Sequence, residues 1–167
     1  MSIIVTSQEE LDAAIESGAK DIIIDSPPSV RLELRGSSNV VTWGSSHVVA
    51  RESSYVVARD SSHVMARESS YVVARDSSRV EAWDSSRVIA WESSHVVARD
   101  SSYVEAWDSS RVVAWESCHV VARDSSNIEA WESSRIDAWD SSHVDAAPCV
   151  TVHVRSTTAT VVGGNIV

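Results

Sequence analysis

The 167-residue chain has no Phe, only 2 Cys, 3 Pro and 5 Gly, and fewer basic than acidic residues. Two cysteines cannot form a disulfide framework, and the spacing of Cys118 and Cys149 fits no zinc motif, so we expect two free thiols. The 14 basic and 24 acidic residues give a formal charge of −10, which argues against direct binding to nucleic acid phosphates. Catalytic motifs are missing too, and we therefore expect no enzymatic activity, no metal and no cofactor.

Long apolar runs are also missing from the sequence. No stretch approaches the roughly 20 apolar residues that a membrane helix needs, so we expect no membrane contact. The first residues, MSIIVTSQEELDAAIESG, lack the basic segment, the long apolar segment and the small-residue cleavage site of a secretory signal. We expect a cytoplasmic protein or a virion component.

Repetition dominates the rest of the chain. Residues 36–147 form fourteen eight-residue repeats, which read acidic (Gly in the first two), Ser, Ser, variable, Val, variable, Ala, and then most often Trp or Arg. We letter these positions a to h. Position e is always Val or Ile and position g is Ala in all but one octad, whereas position f accepts Val49, Glu81 and Asp137. Because strand side chains alternate between faces, e and g should point inward and d, f and h outward.

Each octad therefore predicts a short strand followed by a corner. A helix is excluded because a period of eight drifts against 3.6 residues per turn, and Ser and Val are poor helix formers. The acidic-Ser-Ser segment has the composition of a turn whose side chains bond nearby backbone groups. Since such strands cannot bury a face alone, we expect a β-solenoid, in which each coil covers the next.

The sequence gives two conflicting indications of the number of octads in one coil. From Arg67 onward, position h matches in six of eight pairs at a spacing of 24 residues, but in two of nine at a spacing of 16. An alternation of His and Tyr at position d between residues 47 and 71 favours 16 residues instead, and recent duplication of a 24-residue segment would copy any pattern. We favour a triangular coil of about 24 residues, three octads, with about six coils over residues 20–163.

A 24-residue coil stacks like residues along each outer face. The expected columns are Trp83, Trp107 and Trp131; Trp91, Trp115 and Trp139; Arg75, Arg99 and Arg123; Arg87, Arg111 and Arg135; Glu81, Glu105 and Glu129; and His95, His119 and His143. Histidines on successive coils project in parallel and do not converge, so we expect surface residues rather than a metal site.

The two ends differ from the repeats. Residues 1–19 predict a cap, with a strand at 3–6, Ser7 as helix N-cap, a helix at 8–17 and Gly18 as its stop. Residues 164–167 form a C-terminal tail or edge that is still apolar. We expect either that this end pairs with a second copy to form a homodimer or that the natural protein continues past residue 167.

The octads, with runs such as SSHVVARD at 93–100, resemble the regular parallel β-helix repeat proteins of bacteria and their phages. The resemblance covers residues 20–163, and the strand and helix before them look like the cap of right-handed parallel β-helices. It implies an all-β, right-handed parallel β-helix, a handedness that parallel crossovers also favour. Its functional implication is broad, because polysaccharide lyases, tail spikes, adhesins and scaffolds share this architecture.

We interpret the chain as a non-catalytic, rigid scaffold that presents Trp, Arg and Glu columns to a protein partner. The resemblance to phage proteins adds the expectation that this scaffold is phage-associated. The first alternative is an acidic DNA mimic that inhibits a DNA-binding protein; acidic pentapeptide-repeat solenoids offer an analogy, although their five-residue repeat is absent here. A second alternative is a carbohydrate-binding rod, and the least favoured is a polysaccharide-acting enzyme. The candidate interaction residues are Trp83, Trp91, Trp107, Trp115, Trp131, Trp139, Glu81, Glu105, Glu129, Arg99 and Arg123.

The assignment of faces gives a direct test. Val104→Asp should unfold the solenoid locally because it buries an unpaired charge, whereas Glu105→Ala should cost less than about 1 kcal/mol. Urea unfolding of the two variants measures the difference. Equal tolerance at both positions would refute the inward and outward assignment.

Overall fold

A computed structural model describes residues 2–36 and 38–167; Met1 of the predicted cap and Ser37 of the first octad lie outside the described residues. The described residues form one α-helix and eighteen β-strands. The bounds are β1 Ile3–Val5, α1 Gln8–Glu16, β2 Ile22–Ile24, β3 Arg31–Leu34, β4 Asn39–Thr42, β5 His47–Ala50, β6 Tyr55–Ala58, β7 His63–Ala66, β8 Tyr71–Ala74, β9 Arg79–Ala82, β10 Arg87–Ala90, β11 His95–Ala98, β12 Tyr103–Ala106, β13 Arg111–Ala114, β14 His119–Ala122, β15 Asn127–Ala130, β16 Arg135–Ala138, β17 His143–Val154 and β18 Thr160–Ile166.

The strands stack in parallel into a β-solenoid of about 10 turns, which confirms the predicted fold class. Each strand of an octad pairs with the strand two octads away, for example Val88 with Val104, sixteen residues later. The coil is therefore flat and contains two octads, so the predicted triangular coil of about 24 residues and the count of six coils are wrong. The right-handed sense stays a prediction.

Two ranks of strands form the two broad faces of the flat coil. Face A consists of the even-numbered strands β2 to β16 and the segment Thr151–Val154 of β17. Face B consists of the odd-numbered strands β3 to β15 and the segment His143–Ala146 of β17. Strand β18 pairs with both segments of β17 and so continues both faces.

The core lies between the two faces and contains the positions that the sequence predicts to point inward. Positions e and g are buried in every octad, and so is the second Ser of each octad for which burial is described, except Ser38. Val104 is fully buried and Glu105 is half-buried, which confirms the assigned parity. The small Ala and Ser side chains allow the faces to approach closely, and each Val contributes roughly 1.5 to 3 kcal/mol by burial.

The corners depend on a left-handed backbone at position a. Among the described residues, twelve acidic residues at this position have φ between 52° and 61°, and Gly36 and Gly44 adopt the same region at 72° and 64°. Residues with a Cβ rarely adopt this conformation, although Asp tolerates it better than most. Every octad thus turns at the same backbone position.

The acidic side chains at these corners link successive coils. The carboxylate of Asp100, for example, accepts a hydrogen bond from the backbone N–H of Asp84 at 3.0 Å, and Asp84 accepts one from Glu68 at 3.1 Å. Similar bonds span sixteen residues along both edges of the solenoid, at 2.7–3.4 Å. The predicted side-chain bonds within a corner are made by serines, as Ser134 donates to the carbonyl of Trp131 at 2.7 Å, whereas the carboxylates bond the preceding coil.

The N-terminal end of the solenoid is covered, as predicted. Helix α1 begins after Ser7, whose hydroxyl accepts a hydrogen bond from the N–H of Glu10 at 3.3 Å, and it buries Leu11 and Ala14. The Gln8 side chain accepts from the N–H of Glu33 at 2.8 Å and donates to its carbonyl at 3.0 Å. Gln8 therefore satisfies the edge of β3 as a neighbouring strand would.

The C-terminal end keeps the solenoid pattern. Asn165 and Ile166 pair with Thr151 and Val152, so most of the segment 164–167 belongs to the last strand and forms an edge rather than a tail. Val154 is 37% exposed on this last coil. Within the described residues, no helix is long and apolar enough to cross a membrane.

The corner geometry predicts how substitutions at Asp84 rank. Asp84→Ala should lower the free energy of unfolding by about 1–3 kcal/mol, because it loses the bond from Glu68 and places Ala in the left-handed region. Asp84→Asn keeps an acceptor and suits this backbone, so it should stay within about 1 kcal/mol of the wild type. Urea unfolding checks both. If the Ala and Asn variants proved equally stable, neither the left-handed backbone nor the side-chain acceptor would matter at this corner.

Candidate interaction surface

The outward side chains form continuous columns along both faces. At position h the columns are Trp43, Arg59, Arg75, Trp91, Trp107, Arg123, Trp139 and Arg155 on face A, and Arg35, Arg51, Arg67, Trp83, Arg99, Trp115 and Trp131 on face B. Each residue follows its strand by one position, and each except Arg35 donates its backbone N–H to the coil before it, as Trp107 does to Ala90 at 2.9 Å. The columns are therefore as regular as the sheet.

The predicted columns are wrong, because a spacing of 24 residues changes the face. Face A holds Trp91, Trp107, Trp139, Glu105, Arg75, Arg123, Arg87, Arg135 and His119. Face B holds Trp83, Trp115, Trp131, Glu81, Glu129, Arg99, Arg111, His95 and His143. Each predicted column is thus divided between the two faces, and unlike residues become neighbours.

Where arginine and tryptophan are neighbours in these columns, they make cation–π contacts. The guanidinium carbon of Arg99 lies 4.8 Å from the ring centroid of Trp83, and Arg67 approaches the same ring at 5.8 Å. Arg123 similarly lies 4.7 Å from Trp107 and 5.4 Å from Trp139. Such cation–π contacts are each worth about 0.5–1 kcal/mol at exposed sites. The assumption that a column contains only like residues fails here, because the true columns mix Arg with Trp, although like neighbours such as Arg59 and Arg75 also occur.

Two tryptophan pairs complete these columns. The rings of Trp91 and Trp107 stack at 4.9 Å with an angle of 11°, and those of Trp115 and Trp131 stack at 5.4 Å with an angle of 12°. Pairing covers part of each indole, yet Trp131 and Trp139 remain 44% and 36% exposed. Trp131, Trp139 and, near the N-terminal end, Trp43 at 42% therefore offer the most indole surface.

A second ladder runs along position d of face A. Tyr55 and Tyr71 stack at 5.2 Å, and Arg87 lies 5.8 Å from Tyr71 and 4.9 Å from Tyr103. Tyr103 in turn meets His119 edge to face at 5.3 Å. Arg87 also pairs with Glu105, so aromatic and ionic contacts hold the same side chain.

The ladder ends at a buried carboxylate that the sequence reading missed. Asp137 is 9% exposed at position f, and its carboxylate lies 2.8 Å from Nε2 of His119 and 3.1 Å from Nε of Arg155. Burial alone would raise the pKa of Asp137, but the hydrogen bonds from His119 and Arg155 outweigh it and hold the pKa below its usual range. Arg135 adds a second guanidinium group at 3.9 Å. The only signal in the sequence was an Asp at a position that is more often apolar.

The cysteines and histidines provide no metal site in the part of the chain that the structure describes. Cys118 and Cys149 are both free, as predicted. Cys118 replaces the second Ser of an octad, and burial raises the pKa of its thiol to about 11. A thiol with so high a pKa is a poor nucleophile near neutral pH.

A scan against protein-family models finds no match, and searches of the curated proteins and of the solved structures find none either. The class of protein therefore rests on the fold, which is a parallel β-solenoid of stacked coils.

The Asp137 cluster predicts a pH-dependent loss of stability. Asp137→Asn should lower the free energy of unfolding by about 1–2 kcal/mol near neutral pH, because charged hydrogen bonds are lost. Since the folded-state pKa lies below the ordinary 3.8, this contribution is full above that value and fades as the pH falls through the folded-state pKa. Denaturant unfolding across this pH range measures it.

Asp145→Asn is the matched control, because Asp145 occupies the same octad position on face B and is exposed. It should change stability little at either pH. If Asp137→Asn lowered the free energy of unfolding as much in acid as near neutral pH, the carboxylate charge would not be the cause of the loss.

Proposed function

We propose that the protein is a non-catalytic scaffold whose faces bind a partner protein. The observation that carries this proposal is the exposure of Trp131. Its ring stacks on Trp115 on one side, but the next residue in its column is Ala147, which leaves the other side of the indole open. Tryptophan is among the residues that contribute most binding energy at protein interfaces. Glu129, exposed on the same strand, provides a polar rim.

The regular sheet supports this role because it holds the side chains in place before binding. Parallel pairing continues from β2 to β18, and the stacked rings restrict one another. Side chains that are already ordered lose less conformational entropy when a partner binds. A rigid row of aromatic and charged groups therefore suits recognition better than an unstructured repeat of the same composition would.

The positions of the candidate carboxylates support a non-catalytic role. Glu105 lies on face A, whereas Glu81 and Glu129 lie on face B, three coils apart. At about 4.8 Å per coil, that separation is about 14 Å. Glycosidase carboxylates lie only about 5–9.5 Å apart, so these three residues do not suit that chemistry.

An acidic DNA mimic is the second candidate, and the two edges of the solenoid favour it. They carry the twelve acidic residues at position a, half of the 24 acidic residues in the chain. A basic DNA-binding protein would be attracted to such edges. We rank this candidate second because ten of these twelve carboxylates already accept hydrogen bonds from backbone N–H groups of the solenoid.

Carbohydrate binding has less support. Sugars stack on open aromatic faces, whereas Arg67 and Arg99 cover Trp83, and Trp91 and Trp107 cover each other. The link to bacterial and phage repeat proteins, the cytoplasmic or virion location and the pairing of the C-terminal coil with a second copy stay predictions.

Affinity capture with three forms of the protein tests the proposal. The forms are the wild type, the face variant Trp131→Ser, and an edge variant in which Glu52, Glu68 and Glu116 are all changed to Gln. The amide oxygen of Gln still accepts a backbone hydrogen bond, so the edge variant should fold, as circular dichroism would verify.

A protein partner that the wild type and the edge variant retain but Trp131→Ser loses, by roughly tenfold or more in affinity, would support the scaffold. Loss with the edge variant alone, together with strong salt dependence, would support the DNA mimic instead. A partner that all three forms bind equally would contradict both roles for these residues.

A further inference from the structure

Arginines concentrate on the first coils of face B, against the overall charge of −10. Arg31 and Arg35 flank β3, and Arg51 and Arg67 follow β5 and β7. Glu33 is the acidic residue on the outer surface of β3, and it pairs with both Arg35 and Arg51. The outer surface of β3, β5 and β7, with the residue that follows each strand, therefore carries four arginines and one glutamate.

The other two arginines converge on an uncharged atom. Nη2 of Arg31 lies 3.3 Å from the Sδ atom of Met65, and Nε of Arg67 lies 3.4 Å from the same sulfur. Arg31 reaches there from two coils away, since Met65 lies thirty-four residues later in the chain. A thioether is a weak acceptor and carries no charge to balance two guanidinium groups.

Neither of these arginines has an acidic partner within the described residues. Glu33 pairs with Arg35 and Arg51. Glu81 stacks next to Met65 one coil later, but its carboxylate lies 3.5 Å from His63. Neither guanidinium group therefore forms an ion pair within 4 Å among the described residues, although Asp12 and Glu16 line a neighbouring pocket with Arg31.

A pocket opens where the arginines meet. Its volume is about 360 Å³, and it is lined by Arg31, Glu33, Val49, Arg51, Met65 and Arg67. Val49 and Met65 are its apolar lining residues, and the other four are charged. The pocket is large enough for a small polyatomic anion.

We propose that this pocket binds a tetrahedral oxyanion, the phosphate or sulfate group of a ligand, between Arg31 and Arg67. Guanidinium groups donate in a fork that matches two oxygens of such an anion, and the bonds are strengthened by charge. An oxyanion would neutralise the two charges that Met65 leaves unbalanced. The site is on face B near the helix-capped end, and it does not depend on the scaffold role.

Met65 provides a specific probe for the test. The chain has only two methionines, so protein labelled with ¹³C at the methionine methyl groups gives a simple spectrum, and the loss of one signal in Met65→Leu assigns it. Inorganic phosphate and sulfate are titrated separately at matched ionic strength, with chloride as the reference salt. We expect the Met65 signal to shift saturably with an affinity in the millimolar range.

The variants Arg31→Gln and Arg67→Gln should each weaken binding by roughly tenfold or more, because each removes a charged hydrogen-bonding group. Arg111→Gln is the matched control: Arg111 starts β13 on the same face, outside the pocket, and its loss should leave the affinity unchanged. Arg67→Lys keeps the charge without the fork and should fall between wild type and Arg67→Gln.

Equal shifts with phosphate and sulfate would support a general tetrahedral oxyanion site, and a shift with phosphate alone would narrow the ligand to a phosphorylated molecule. A Met65 shift that does not saturate, or one that persists unchanged in the Arg31→Gln, Arg67→Gln double variant, would overturn the proposal. Circular dichroism of each variant verifies that the solenoid is intact.

Discussion

The left-handed backbone at position a is the constraint on which the rest of the structure depends. It reverses the chain within a three-residue corner, so that consecutive strands such as β9 and β10 lie on opposite faces and the coil closes after two octads. The acidic side chain then accepts a hydrogen bond from the corner of the preceding coil. One residue type therefore determines both the shape of the coil and the connection between coils, which explains why the acidic-Ser-Ser segment recurs so regularly.

The spacing of the coils also organises the surface. Parallel strands place successive side chains about 4.8 Å apart, which is close to the distance at which aromatic rings and guanidinium groups interact favourably. The observed ring contacts at 4.7–5.8 Å follow directly. The same proximity also brings like charges together, as at Arg59 and Arg75, whereas Arg99 gains a cation–π contact from Trp83. At Arg31 and Arg67, two positive charges share an uncharged sulfur.

Much of the fold could be predicted from the sequence, because inward positions tolerate little variation. Val104 and Glu105 were assigned to opposite sides from parity alone, and the strand, helix and cap at the N-terminus follow local rules. The coil size was predicted wrongly, because matches at a spacing of 24 outweighed the alternation of His and Tyr at residues 47–71, which carried the correct spacing of 16. The error then spread to every column of candidate residues. Asp137 and the Arg31–Met65 contact depend on side chains from different coils, which only the correct stacking brings together.

The carboxylate bonds along the edges all run in one direction: each acidic residue reaches back to the coil that precedes it in the chain. A corner is therefore complete only when the next sixteen residues have been added and have folded. During synthesis, the end covered by α1 emerges from the ribosome first, and every new coil then completes the corners of the coil below it. The solenoid can thus lengthen by repeated addition of one coil, and the corners of the last coil lack their carboxylate bonds until the next coil has folded.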